Sequence, residues 1–418
     1  MTFFYAFSAL IVLAAIFGYF NYRYLKLPNT IGLMLIALVV SLAVIVGGKL
    51  NSKIIDSATQ MMASVDFPKT VLEVMLSFLL FAGALHADVK TLSAERVPVF
   101  VFATVGVLLS TVLVGTLMWL VLPVLGLGID YIYCLLFGAL ISPTDPIAVL
   151  AILKTAKVPK NLEVKIAGES LFNDGVGVVV FLSLFELARK GVGEFGFSDA
   201  LLLFVVEVGG GLLWGFTIGY AAYYLFRQVD SYVLEVTITL ATVMGGYAVA
   251  TALHISGPLA IVVAGLLLGS KGRADAMSET TEKYVDMFWE VLDEILNAVL
   301  FILIGLEALI VSLTPSFALA GAVAIVITLL ARLVAVGLPI TLMRLRREFV
   351  PRTIRVMTWG GLRGGISIAL ALTLPMEFQR ELILSITYTV VVFSIVVQGL
   401  TVKWLVKDMS DMPAEAVT

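Results

Sequence analysis

Apolar runs recur along this chain at the length of a helix that crosses a bilayer, and that pattern rules out most folds. In hydrocarbon every backbone N–H and C=O must find its partner within the protein, so only helices and closed barrels span. Runs of about 17–25 residues fit helices, whereas a barrel would show alternating segments of about ten. Thirteen spans are expected, at 3–20, 30–48, 70–86, 97–124, 131–153, 163–188, 199–226, 233–253, 257–270, 288–311, 316–343, 354–374 and 382–405. Of 418 residues, 60% are hydrophobic and 14% charged. Soluble domains run nearer half and a quarter, so the expectation is an all-α polytopic membrane protein. It reads as one membrane domain over 1–418, ending in a short polar tail over 408–418. The opening segment lacks a basic stretch and a small-residue cleavage site, so it reads as the first span and not as a signal peptide.

The basic residues sort by side. With the N-terminus outside, 19 of the 27 Lys and Arg fall in the inner loops and tail, six fall outside, and Arg332 and Arg363 lie within spans. That asymmetry favours an external N-terminus and a cytoplasmic C-terminus. A net charge of −3 without a basic arm gives no reason to expect a nucleic-acid partner. One cysteine, Cys134, and two histidines, His86 and His254, provide neither a disulfide framework nor a His-based metal centre.

Two spans carry helix-breaking residues. The fifth holds Pro143 and Pro146 around Thr144-Asp145, and the twelfth holds Gly360-Gly361-Leu362-Arg363-Gly364-Gly365. Proline removes a donor and clashes with the preceding turn, and glycine weakens a helix interior. Irregular backbone at membrane depth survives only where it is buried or lines a cavity. The two broken spans are seven apart in order, an odd number, so they run in opposite directions. Paired broken helices in oppositely oriented halves point to the midplane site of a secondary transporter. The expected arrangement is two inverted six-helix repeats, about 1–190 and 232–407, with broken helices 5 and 12 crossing at the midplane and a linker helix at 199–226.

Asp145 and Asp174 are carboxylates inside apolar stretches, a costly placement that marks function by default. Ser170 and Asp174 are four apart and share a helix face; Glu169 and Asn173 form the neighbouring pair. Oxygen ligands of this kind suit a small hard cation. Ser170 and Asn173 also fit a polar patch that joins helices. Asp145 can bind an ion beside carbonyls freed by the break, or cap the second half-helix. Arg363 needs a buried acid, and Glu169 is the expected partner; offsetting the dipoles of the crossing half-helices is the alternative. Arg332 is expected to have a structural pairing or to snorkel. Glu279, Glu282, Asp286, Glu290 and Asp293 follow one another at helical spacing, either as an acidic funnel for cations or as a solvated interfacial face.

At these residues the chain resembles the monovalent cation/proton antiporter family 1, the prokaryotic sodium/proton antiporters related to animal sodium/proton exchangers. The matching stretches are Ser142-Pro143-Thr144-Asp145-Pro146, Glu169-Ser170-Leu171-Phe172-Asn173-Asp174-Gly175, His254-Ile255-Ser256-Gly257, Phe301-Ile302-Leu303-Ile304-Gly305 and Trp359-Gly360-Gly361-Leu362-Arg363-Gly364. They occur in family order over about 75–405. The resemblance implies Asp174 as the shared sodium and proton ligand and Asn173 as the marker of electroneutral exchange. It implies Thr144 and Asp145 at the ion, with Ser170 assisting, so that Asp174, Thr144 and Ser170 would hold sodium. It also implies a Glu169–Arg363 structural ion pair, a homodimer, a cell-membrane location and no cofactor beyond the transported cation and proton. One departure is Ala82, where relatives commonly carry an acid; Glu73 lies nine residues earlier, towards the outer end of its span.

The expected mechanism is competition: Asp174 holds either a cation or a proton, and reorients only when one of them neutralises it. The alternatives are a potassium/proton antiporter of the same family, a sodium-coupled organic anion symporter, a channel, and an intramembrane aspartyl protease with Asp145 and Asp174 as its dyad. The symporter lacks a second basic residue beside Arg363, and the protease lacks its Gly-x-Gly-Asp pattern.

Overall fold

The computed structural model describes residues 3–48, 51, 53, 59, 66–155, 158–191, 196–312 and 314–407. Among them every regular element is a helix and none is a strand. Nine helices are long and apolar enough to cross a membrane: Phe7–Leu25, Asn29–Gly48, Phe67–Leu85, Arg96–Leu125, Lys160–Lys190, Ser198–Phe226, Tyr232–Ala252, Pro315–Met343 and Arg380–Val406. Four expected spans take other forms. The 131–153 stretch divides into Tyr131–Ile141 and Ile147–Thr155, and the 354–374 stretch into Thr353–Trp359 and Gly365–Thr373. The 257–270 stretch is the helix Gly257–Leu267 followed by a π turn, Leu268–Gly272. The expected tail, 408–418, lies outside the described residues.

The fourth exception is a correction. The span expected at 288–311 is the apolar C-terminal part of a single helix, Glu279–Leu306, whose N-terminal part carries the acidic face, with a 3-10 turn, Glu307–Leu309, after it. Hydropathy finds only the apolar part, but carboxylates at helical spacing do not stop a helix. A capping box starts it: the Ser278 hydroxyl accepts from the Thr281 N–H at 3.4 Å, and the Ser278 N–H donates to the Thr281 hydroxyl at 3.0 Å.

The broken segments are buried, as irregular backbone at this depth must be. Ser142, Thr144, Leu362 and Arg363 are all at most 4% exposed. Their backbone groups are accounted for almost one by one. The Asp145 N–H donates to the Leu362 carbonyl at 2.8 Å, which ties one break directly to the other. The Thr144 N–H reaches the Asn173 carboxamide oxygen at 3.4 Å, and the Arg363 N–H reaches the Ser394 hydroxyl at 2.9 Å. Two of the glycines at the breaks show how close the approaches are. A Cβ on Gly177 would meet the Pro143 ring, so only glycine lets the Lys160–Lys190 helix lie against the first break. A Cβ on Gly364 would stand 2.5 Å from Asp145 Oδ2, so only glycine lets the second break lie against that side chain.

Candidate functional site

Ser170, Asn173 and Asp174 project from the middle of the Lys160–Lys190 helix and are all buried. Asn173 holds the first break in place: its Nδ2 donates to the Thr144 hydroxyl at 2.9 Å while its Oδ1 accepts from the Thr144 N–H. The Ser170 hydroxyl donates to the Thr144 carbonyl at 2.5 Å. Both side chains therefore act as helix-to-break fasteners. Asp174, 7% exposed, stands differently. Among the described residues it makes no ion pair, and no donor is hydrogen-bonded to it.

Asp145 caps. Its Oδ1 accepts from the Ile147 N–H at 3.0 Å, at the start of the second half-helix. The other oxygen lies against Gly364.

The expected ion pair between Glu169 and Arg363 is corrected. Glu169, 1% exposed, is taken by Arg332 in a two-pronged pair: Nη1 to Oε1, and Nη2 to Oε2 at 2.8 Å. The physical reason is geometric. Arg332 also donates from Nε and Nη2 to the Met357 carbonyl, at 3.3 and 3.2 Å, so its planar fork serves the acid and the end of Thr353–Trp359 together. Arg363 instead donates from Nη1 to the Ser142 and Pro143 carbonyls, at 2.5 and 3.0 Å. Those carbonyls close the half-helix Tyr131–Ile141. Each arginine thus sits at the negative C-terminal end of one broken half-helix, where a cation is favoured. The freed carbonyls expected to attract a cation are already occupied: Ser142 and Pro143 by Arg363, Thr144 by Ser170. Among the described residues no carboxylate comes within ion-pair distance of Arg363.

Sequence reasoning under-rated Arg332. The signal was available, because it is one of only two arginines within expected spans. Ser394, which accepts from the Arg363 backbone, had no signal at all. The described residues hold no group of three His, Cys, Asp or Glu able to bind a metal ion. The oxygens available to a cation are those of Asp174 first, with hydroxyl lone pairs of Ser170 and Thr144 on its helix and on the break. A void of about 10 Å³ lies between Arg332 and Arg363, lined also by Thr328, Thr358 and Gln398; it has room for one water and none for an organic anion.

The tightness of the crossing gives a first test. Gly364→Ala forces a methyl group onto Asp145 and is expected to destabilise the protein by about 1–3 kcal/mol, as overpacking does. A lowered Tm in detergent, together with slowed exchange, is the expected result; an unchanged Tm and rate would show that the two breaks are not in contact.

The chain matches the family model described as sodium/hydrogen exchanger, transmembrane, over residues 11–408. It is 47% identical over 410 residues to a Na(+)/H(+) antiporter, NhaP, of Pseudomonas aeruginosa, covering 96% of this chain and 95% of that protein. It is 35% identical over 391 residues to the Na(+)/H(+) antiporter NhaH of Halobacillus dabanensis, covering 93% of each. In fold it is similar to the sodium proton antiporter MjNhaP1 of Methanocaldococcus jannaschii, with a TM-score of 0.75 at 20% identity, covering 99% of this chain and 100% of that one. A match over nearly the whole length, with relatives well above 30% identity, places the chain in the transmembrane sodium/hydrogen exchanger family.

Proposed function

We propose that this chain is a secondary sodium/proton antiporter, a transporter and not an enzyme, that exchanges one cation for one proton by competition at Asp174. The observation that carries the reading is the charge balance of the crossing. Among the described residues its ionisable side chains are Arg332, Arg363, Glu169, Asp145 and Asp174. With both aspartates ionised they leave one negative charge in a buried site. A proton or a monovalent cation restores neutrality equally well, and a bare charge would be costly to carry through a closed state. Asp174 is the group left to titrate: Glu169 is paired and Asp145 is capping. Sodium would sit on Asp174 with the hydroxyls of Thr144 and Ser170. Asn173, neutral and fixed to Thr144, adds no second charge to the cycle. The names of the relatives support sodium as the cation, with potassium as the alternative that the same assay separates.

The remaining architecture belongs to the same proposal. Nine apolar helices, two broken pairs, the Gly257–Leu267 helix and the Glu279–Leu306 helix would make thirteen passes in one membrane domain. Oppositely directed breaks support inverted halves, about 1–190 and 232–407, around a linker helix. The distribution of Lys and Arg supports an external N-terminus and a cytoplasmic C-terminus in the cell membrane. The family resemblance supports a homodimer.

The test is proton flux in proteoliposomes. A sodium gradient is expected to drive proton movement at a rate that an imposed membrane potential leaves unchanged. A potential generated by turnover would overturn the one-for-one stoichiometry.

A further inference from the structure

The acidic face of the Glu279–Leu306 helix does not end in solvent. Glu279, Glu282, Asp286, Glu290 and Asp293 step inward, and the next position on that face is Asn297. Glu279 and Glu290 are exposed, Glu282, Asp286 and Asp293 are half-buried, and Asn297, where the face ends, is 2% exposed. The N-terminal part of this face lines an open depression of about 410 Å³, formed by Glu279, Glu282, Lys283, Asp286, Met287 and Glu290. Arg273 engages Asp286 at 2.5 Å and Glu282 at 3.8 Å, and His86 Nε2 stands 3.6 Å from Asp286. No base among the described residues pairs with Glu279 or Glu290.

At the deep end, Asn297 Oδ1 is buried and has no hydrogen-bond partner. Buried carboxamide oxygens are normally bonded, so this one requires an explanation. Its position supplies one. Leu300 and Ile304 continue the same face and abut Gly365, the first residue of the second half-helix after the break. Gly365 adjoins Gly364, which lies against Asp145. Asn297 is therefore three residues, about 4.5 Å of helix rise, from Leu300, the side chain that packs against the second break. It combines burial, an unmet acceptor and an acidic approach from one side.

We propose that Asn297 Oδ1 is a ligand for the transported monovalent cation on its way between the acidic side of the membrane and Asp174. A carboxamide oxygen is a hard, neutral donor that replaces a lost hydration water without trapping the ion. The acidic face concentrates cations at the mouth, and Asn297 receives one as it loses water. The proposal rests on the reading of Asp174 as the exchange site.

The experiment measures the KM for sodium separately from each face, in right-side-out and inside-out vesicles. Asn297→Leu keeps the branched shape of the side chain and removes its oxygen. It is expected to raise the KM about five-fold at the acidic face only, the equivalent of about 1 kcal/mol for one lost neutral contact. A KM unchanged at both faces, or raised equally at both, overturns the proposal. Asn297→Asp is read in the same vesicles and covers the case in which the leucine variant does not fold. It is expected to lower the KM at the acidic face, and an unchanged KM would contradict the ligand role. Asp174→Asn serves as the control: if it still exchanges, the reading of the exchange site fails, whatever Asn297 does.

Discussion

Replacing Asp174 with asparagine is expected to reduce sodium-driven proton flux to that of protein-free vesicles, while the protein still folds. The carboxylate is buried, and among the described residues it has no partner whose loss would unfold the helix. Asparagine fills the same space and can bind neither a proton nor the charge of a cation. The neighbouring aspartate is expected to behave differently. Asp145→Asn keeps an acceptor for the Ile147 N–H, since asparagine caps about as well as aspartate. It removes one negative charge from the crossing, so exchange is expected to fall while Tm is retained. If Asp174→Asn exchanged normally, the ion site would lie elsewhere.

The second large effect concerns stability. Arg332→Leu leaves Glu169 buried without its cation, and breaking a buried pair from one side typically costs about 3–5 kcal/mol. The Met357 carbonyl also loses its donors. The expected result is a strongly lowered Tm or failure to accumulate in the membrane. Adding Glu169→Leu removes the stranded charge, so the double variant is expected to be more stable than Arg332→Leu alone. A double-mutant cycle with purely additive effects would contradict the pair. Arg363→Leu is a useful comparison, because it strands two carbonyls and no carboxylate.

The sequence made the local features of the site legible and left the distant pairing open. Asp174 and Ser170 share a face because four residues is about one helical turn, and prolines 143 and 146 announce the break regardless of what surrounds it. The glycine run 360–365 announces the second break in the same way. Pairings across the bundle have no such signature. Glu169 had two candidate cations in the membrane, and the choice between Arg332 and Arg363 depends on how three helices pack. The capping role of Asp145 was one of two readings that sequence allowed, and the Ile147 N–H decides where its Oδ1 goes. The continuity of the Glu279–Leu306 helix escaped the hydropathy reading because its N-terminal turns are polar, although their spacing was already helical.

The central claim is competition between sodium and a proton for one carboxylate. It is tested most directly by the KM for sodium in proteoliposomes across a pH series, with Vmax extracted at saturating sodium. Competition for one site expects the KM to rise on the acid side with a limiting slope of about tenfold per pH unit, while Vmax at saturating sodium resists the acid inhibition. A KM independent of pH, with Vmax alone falling in acid, would contradict it.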